Sequence, residues 1–160
     1  MLGAMRRAPQ ETRTYFLTFV TAQRRRLFQV TNTADMMREH LQQQRRKNRL
    51  ELYAFVIMPD HVHMLLTAAH DVSLEKAAQY IKGGFSFLLG SKLDVWERGY
   101  NETQVKTPDQ FQAFQSYIEE NPARARLVSA TADYLHSSST QRDTVDGCPL
   151  WLSEVKTIRG

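Results

Sequence analysis

Two histidines, His61 and His63, stand two residues apart in "MPDHVHMLLT", inside an otherwise apolar run. Side chains alternate faces along a strand, so both imidazoles share one face while Val62 and Met64 take the other. Neutral imidazoles so placed can reach one metal ion through their ring nitrogens. Two ligands alone make a weak site, and a His-x-His pair is also a common arrangement of plain hydrogen-bonded side chains. Here the pair follows a Pro59-Asp60 turn, at the start of its strand, where a ligand can approach. The opposite face of that strand is purely apolar, so the imidazoles need a polar partner on their own side. A second pair, Tyr117 and Asn121 in "YIEENPARARLV", is four apart and lies on one side of a helical turn. Asn121 can offer a carbonyl oxygen to a metal, and Tyr117 a phenol oxygen beside it. The same residues also fit as a core-edge tyrosine and as a cap for the turn begun at Pro122.

The elements that must carry these residues are readable from pattern. "TYFLTFVT" (14–21) is aromatic and β-branched, a strand. Thr33 is placed to cap a helix running to Lys47, with Met36, Met37 and Leu41 as its apolar face. "LELYAFVIM" (50–58) is apolar nearly throughout, the pattern of a central strand covered on both faces, and "HVHMLLT" (61–67) returns from the turn. Ser73 begins a helix whose Gly83-Gly84 pair either weakens it or admits close approach of another backbone. "VWERGYNETQVK" (95–106) reads as a short extended piece. "TPDQ" then opens a helix with Thr107 as N-cap, Pro108 in its first turn and Gln110 closing a capping box. That helix turns Phe111, Phe114 and Ile118 inward and is expected to stop at Pro122. The order strand, helix, strand, strand, helix, extended piece, helix predicts an α+β ferredoxin-like sandwich around an antiparallel sheet.

Composition narrows the class. The 160 residues suffice for one domain with a real core. The 21 Lys and Arg against 17 Asp and Glu give a net charge of +4, a mild basic bias compatible with a nucleic-acid partner. Cys148 is the single cysteine, so an internal disulfide and a multi-cysteine zinc site are both excluded. The opening "MLGAMRRAPQETRTYF" lacks the apolar core of a signal peptide, and no apolar run is long enough to span a membrane. A cytoplasmic location, nucleoid-associated when bound to DNA, is the expectation.

Taken together, the segments resemble a family. "MPDHVHMLLT" is similar to the His-hydrophobic-His (HUH) motif of single-tyrosine transposases. "YIEENPARARLV" resembles the tyrosine-helix signature of the branch known as REP-associated tyrosine transposases, "VWERGYNE" its preceding segment, and "TYFLTFVTAQRRRLFQ" its first strand and basic exit. The resemblance runs from about residue 13 to 128, in the family's order. It implies a HUH-type transposase fold with the catalytic domain at 14–128; by composition, the polar and basic residues 1–13 read as an N-terminal arm and residues 129–160 as a C-terminal tail that docks on the domain or contacts DNA. It places the metal-binding histidines on His61 and His63, the third ligand on Asn121 and the nucleophile on Tyr117. Two departures stand out: Asp60 where many relatives carry Asn, and Glu102-Thr103 where many carry an acidic residue followed by histidine.

The implied reaction is cleavage and rejoining of single-stranded DNA at hairpin (REP-like) sequences through a 5′-phosphotyrosine, with Mg²⁺ or Mn²⁺ as cofactor. A free tyrosine ionises near a pKa of about 10, so the nucleophile needs help at neutral pH. Candidate DNA contacts are Arg6, Arg7, Arg24, Arg25, Arg26 and Lys82, with Arg45, Arg46 and Lys47 as further cations. Base stacking on Tyr100 or Trp96 is an additional option, with Trp96 better suited to the core. Monomers are typical of this branch and dimers of its insertion-sequence cousins, so a monomer is favoured and a dimer stays open. Two other readings remain. One is a nucleic-acid-binding module of the same fold without cleavage activity; the other is a metal-dependent nuclease using water.

Overall fold

Alternating apolar residues build the four strands β1 (Thr14–Val20), β2 (Leu50–Met58), β3 (His61–Ala68) and β4 (Asn101–Val105), joined in one antiparallel sheet of order β2-β3-β1-β4. The computed structural model describes residues 13–152. Helices α1 (Thr31–Arg46), α2 (Leu74–Leu89) and α3 (Pro108–Arg124) complete the ferredoxin-like order expected from the sequence.

The strand period of two sorts the side chains into two cores. Leu17, Phe19, Leu52, Phe55, Ile57, Val62, Met64 and Leu66 pack with α1 and α2 on one side of the sheet. Tyr53, Ala54, Val56, Leu65 and Val105 pack with Phe111 and Ile118 of α3 on the other. A bulge between Leu52 and Ala54 lets Tyr53 and Ala54 share the α3 side.

Three expectations are corrected. β2 is an edge strand, not a central one. Its apolar run reflects cover on both faces and at the edge itself, where residues 136–146 close over it. Ile57 N–H donates to the His136 carbonyl, Ser138 N–H to the Phe55 carbonyl and Asp146 N–H to the Leu52 carbonyl. Second, α1 begins at Thr31 with Val30 as N-cap and no side-chain cap, so Thr33 lies inside the first turn. Third, α3 continues through Pro122 to Arg124. Proline removes one helical N–H, but the chain recovers its bonds in the next turn: Arg126 adopts φ 60°, and Leu127 N–H reaches back to the Pro122 carbonyl.

The glycine pair of α2 does admit a neighbour, a side chain rather than a backbone. A Cβ on Gly84 would stand 2.6 Å from His40 Cε1, while nothing lies within 4 Å of one on Gly83. From α1, His40 Nε2–H donates to the carbonyls of Tyr80 and Ile81 at 3.0 and 3.1 Å.

Candidate functional site

His61 and His63 open β3 on the α3 side of the sheet, paired across to Val20 and Thr18 of β1. Their ring centroids are 4.7 Å apart. Each Nδ1 is held: His61 by the Asp60 carboxylate at 2.7 Å, His63 by the Thr18 hydroxyl at 2.8 Å. A carboxylate only accepts, so His61 Nδ1 carries a proton and donates it to Asp60. Neither Nε2 has a hydrogen-bond partner among the described residues. Burial, with the charges of His61 and Arg124 adding to it, pushes the His63 pKa down to about 3, so this imidazole is neutral at physiological pH. Burial raises the Asp60 carboxyl, but the His61 hydrogen bond and the Arg24 guanidinium outweigh it and hold the group below its ordinary value.

The aromatic wall beside the pair comes from β1 and α3. Phe16 stacks on His63 at 5.3 Å and on Phe114 at 4.6 Å. Tyr117 meets His63 edge-on at 5.6 Å and Phe16 at 6.0 Å, and it remains 46% exposed, so its hydroxyl is open to a substrate. Arg124 lies over the Tyr117 ring with its guanidinium carbon 4.3 Å from the centroid. Asn121, one turn after Tyr117, is half-buried, and its side-chain amide has no hydrogen-bond partner among the described residues.

These residues fit a divalent cation. Two adjacent imidazoles, each oriented by a bond at Nδ1, turn Nε2 toward a ligand, and such a bond at the other nitrogen is the usual support of a metal-binding histidine. Among the described residues there is no cluster of three or more His, Cys, Asp or Glu side chains suited to a metal.

The remaining expected contacts scatter. Arg24 lies beside the pair, 3.4 Å from Asp60, and is 63% exposed at its side chain. Arg25 is turned to the carbonyls of Ala22 and Asp94, and Arg26 to Gln29. Lys82 belongs to the other side of the sheet, where its ammonium donates to the carbonyls of Glu97 and Gly99 and lies 5.6 Å from the Phe19 ring centre. Arg45 and Arg46 are paired with Asp146 and Glu39. Arg6 and Arg7 lie outside the described residues. Trp96 is core, donating Nε1–H to the Lys82 carbonyl, and Tyr100 packs edge-on to Phe19. Glu102 is opposite Leu17 in register and therefore on the α1–α2 side, away from the histidines.

The roles of four residues at the cluster escape a motif-based reading: Phe16, Thr18, Arg124 and Asp60, the last noted there only as a departure from the family's asparagine. Phe16 and Thr18 carry a usable signal, since strand alternation puts them on one face; which neighbour that face meets depends on strand pairing. Asp60 lies within the motif segment, directly before the first histidine. Arg124 is seven residues from Tyr117, two helical turns along one side.

A ferredoxin-like sheet bearing a histidine pair and a tyrosine helix on one side defines a protein of the single-tyrosine transposase class. The family model described as "Transposase IS200 like" matches residues 10–121, and the chain belongs to that family. Among solved structures, a REP-associated tyrosine transposase bound to a REP hairpin is similar in fold, with a TM-score of 0.73 and 23% identity over 88% of this chain and 84% of that one. A Deinococcus radiodurans R1 protein described as a candidate transposase is similar with a TM-score of 0.51 and 28% identity, over 66% of this chain and 88% of its own. No protein of curated function matches the chain.

Proposed function

We propose that this transposase cleaves and rejoins single-stranded DNA at hairpin-forming sequences, with Tyr117 as nucleophile. The observation that carries the reading is the exposed Tyr117 ring 5.6 Å from His63, on the face where neither histidine Nε2 has a hydrogen-bond partner among the described residues. The Tyr117 oxygen attacks a backbone phosphorus, forming a tyrosine–phosphate ester as the bond to the 3′-oxygen breaks. That oxygen leaves as a hydroxyl with a proton from solvent, while the phenol proton is lost to solvent. One ester replaces another, so the energy of the link is conserved and no nucleotide cofactor is needed. Attack by a second 3′-hydroxyl reverses the exchange and rejoins a strand.

His61 and His63, with Asn121 as an amide-oxygen donor, would hold a divalent ion, Mg²⁺ or Mn²⁺. Such an ion, when bound, polarises the phosphate and offsets charge on the leaving oxygen. Asp60 and Thr18 orient the imidazoles, and Phe16 and Phe114 back the cluster with an aromatic wall. Arg24 offers an exposed cation for the DNA backbone.

The hairpin carried in the similar structure supports this substrate class. No helix among the described residues is long and apolar enough to cross a membrane. The test is incubation with single-stranded hairpin DNA from repeats flanking the gene, in Mg²⁺ or Mn²⁺. A covalent adduct at Tyr117, absent in Tyr117→Phe and under chelation, is expected. Cleavage that survives Tyr117→Phe would mean hydrolysis by water, and binding without cleavage would mean a binding module.

A further inference from the structure

Arg124 takes no part in the exchange described above, yet it is the charged side chain in contact with the proposed nucleophile. Its guanidinium lies over the Tyr117 ring face. One terminal nitrogen donates to the Tyr117 carbonyl, and the other stands 3.4 Å from the Glu120 carboxylate. The side chain thus reaches back along α3 and is fastened at three points: a ring, a carbonyl and a carboxylate.

Tyr117 needs such a restraint. It is half-exposed, its hydroxyl has no hydrogen-bond partner among the described residues, and its other ring contacts are edge-on, to His63 and Phe16. Edge contacts leave a ring free to rock. A planar cation across its face removes that freedom, and arginine is suited to this because its fork can stack and donate hydrogen bonds at once; lysine cannot do both. The position is itself well fixed. Arg124 is in the last turn of α3, where a cation also meets the negative end of the helix dipole, and the helix closes behind it with Arg126 at φ 60°.

We propose that Arg124 is a positioning residue for Tyr117, clamping the phenol ring in the orientation from which its oxygen meets the scissile phosphodiester beside His61 and His63. This rests on the reading of Tyr117 as nucleophile. Arg124 neither gives nor takes a proton, and the bonds made and broken are those of the tyrosine exchange alone.

The experiment compares the parent full-length chain with Arg124→Ala and Arg124→Lys. It measures single-turnover adduct formation on hairpin DNA with Mn²⁺, equilibrium DNA binding, and the ¹³C-labelled tyrosine ring signals of the DNA-free protein, with Tyr117→Phe assigning Tyr117. The expected result in Arg124→Ala is adduct formation slowed about 10- to 100-fold at unchanged DNA affinity, the scale of a misplaced reacting group. Arg124→Lys should recover part of that rate only. Tyr117 ring signals should move toward those of a freely averaging tyrosine while those of buried Tyr53 stay put. An unchanged rate, or unchanged Tyr117 signals, overturns the clamp. A slower rate matched by weaker DNA binding overturns it in favour of a phosphate contact, and full rescue by lysine overturns it in favour of charge alone. Absence of any adduct in the parent overturns the nucleophile reading, and this role with it; a parental adduct with an unchanged Arg124→Ala rate overturns Arg124 only.

Discussion

His63 and His40 are both buried, on opposite sides of the sheet, and burial leads the causes that lower the pKa of each. His63 is pushed down to about 3, so the folded protein keeps it neutral where the unfolded chain, with an ordinary histidine pKa near 6.5, takes up a proton. The unfolded state therefore binds more protons below that value, and stability is full above about pH 6.5 and lost as the pH falls toward 3. For His63 alone the loss between pH 7 and 5 is about 2 kcal/mol. Urea denaturation at the two pH values should show this drop, and His63→Gln should remove about that much of it, the share of His40 remaining. An equal drop in the variant would place the titration elsewhere.

At the scale of elements, the α1–α2 contact turns on one glycine. His40 needs the Gly84 side of α2 to bring its Nε2–H to the Tyr80 and Ile81 carbonyls. Gly84→Ala would put a methyl group 2.6 Å from the imidazole and is expected to cost about 1–3 kcal/mol through forced displacement of a buried ring. Gly83→Ala, one residue earlier in open space, should instead stabilise by about 0.5–1 kcal/mol, since alanine loses less backbone freedom in a helix. Thermal unfolding of the pair checks the opposite signs. The sequence displayed the glycine pair but not which member is crowded, because that depends on the rotation of α2 against α1. α3 teaches a related lesson. Its N-cap, Thr107 accepting from Gln110 N–H, was legible locally, but the expected capping box is not closed, because the Gln110 side chain accepts from Lys106 N–H instead. Its end was not, because the burial of Pro122 and the closing bond from Leu127 carry the helix past the proline.

For the whole molecule, the segment after α3 decides how the sheet ends. An open strand edge invites pairing with another chain, and here residues 136–146 cover it. The cover is fastened by Arg45–Asp146, by Arg142–Glu119 and by His136–Asp35. Asp146 also accepts from Leu52 N–H at 2.8 Å, so Asp146→Ala leaves that amide unpaired and should cost about 1–3 kcal/mol. Deleting residues 129–160 should abolish hydrogen-exchange protection at the Phe55 and Ile57 amides, whose acceptors are Ser138 and His136, and produce concentration-dependent association. Retained protection in a monomeric truncated chain would show that the edge does not need this cover.

Local chemistry was enough to place His61 and His63 on one face, to order the elements and to set the start of α3, because strand alternation, turn residues and helix caps act within a few positions of one another. The motifs together were enough to point to the family. What the tertiary structure decided is everything that depends on contacts distant in sequence: that β2 lies at an edge, that Phe16 and Thr18 meet His63, that Lys82 belongs to the far side of the sheet and that Arg124 lies across Tyr117. A residue's type and its neighbours bound what it can do. Which partner it meets is set by the packing of the sheet and helices against one another, and no local pattern encodes that choice.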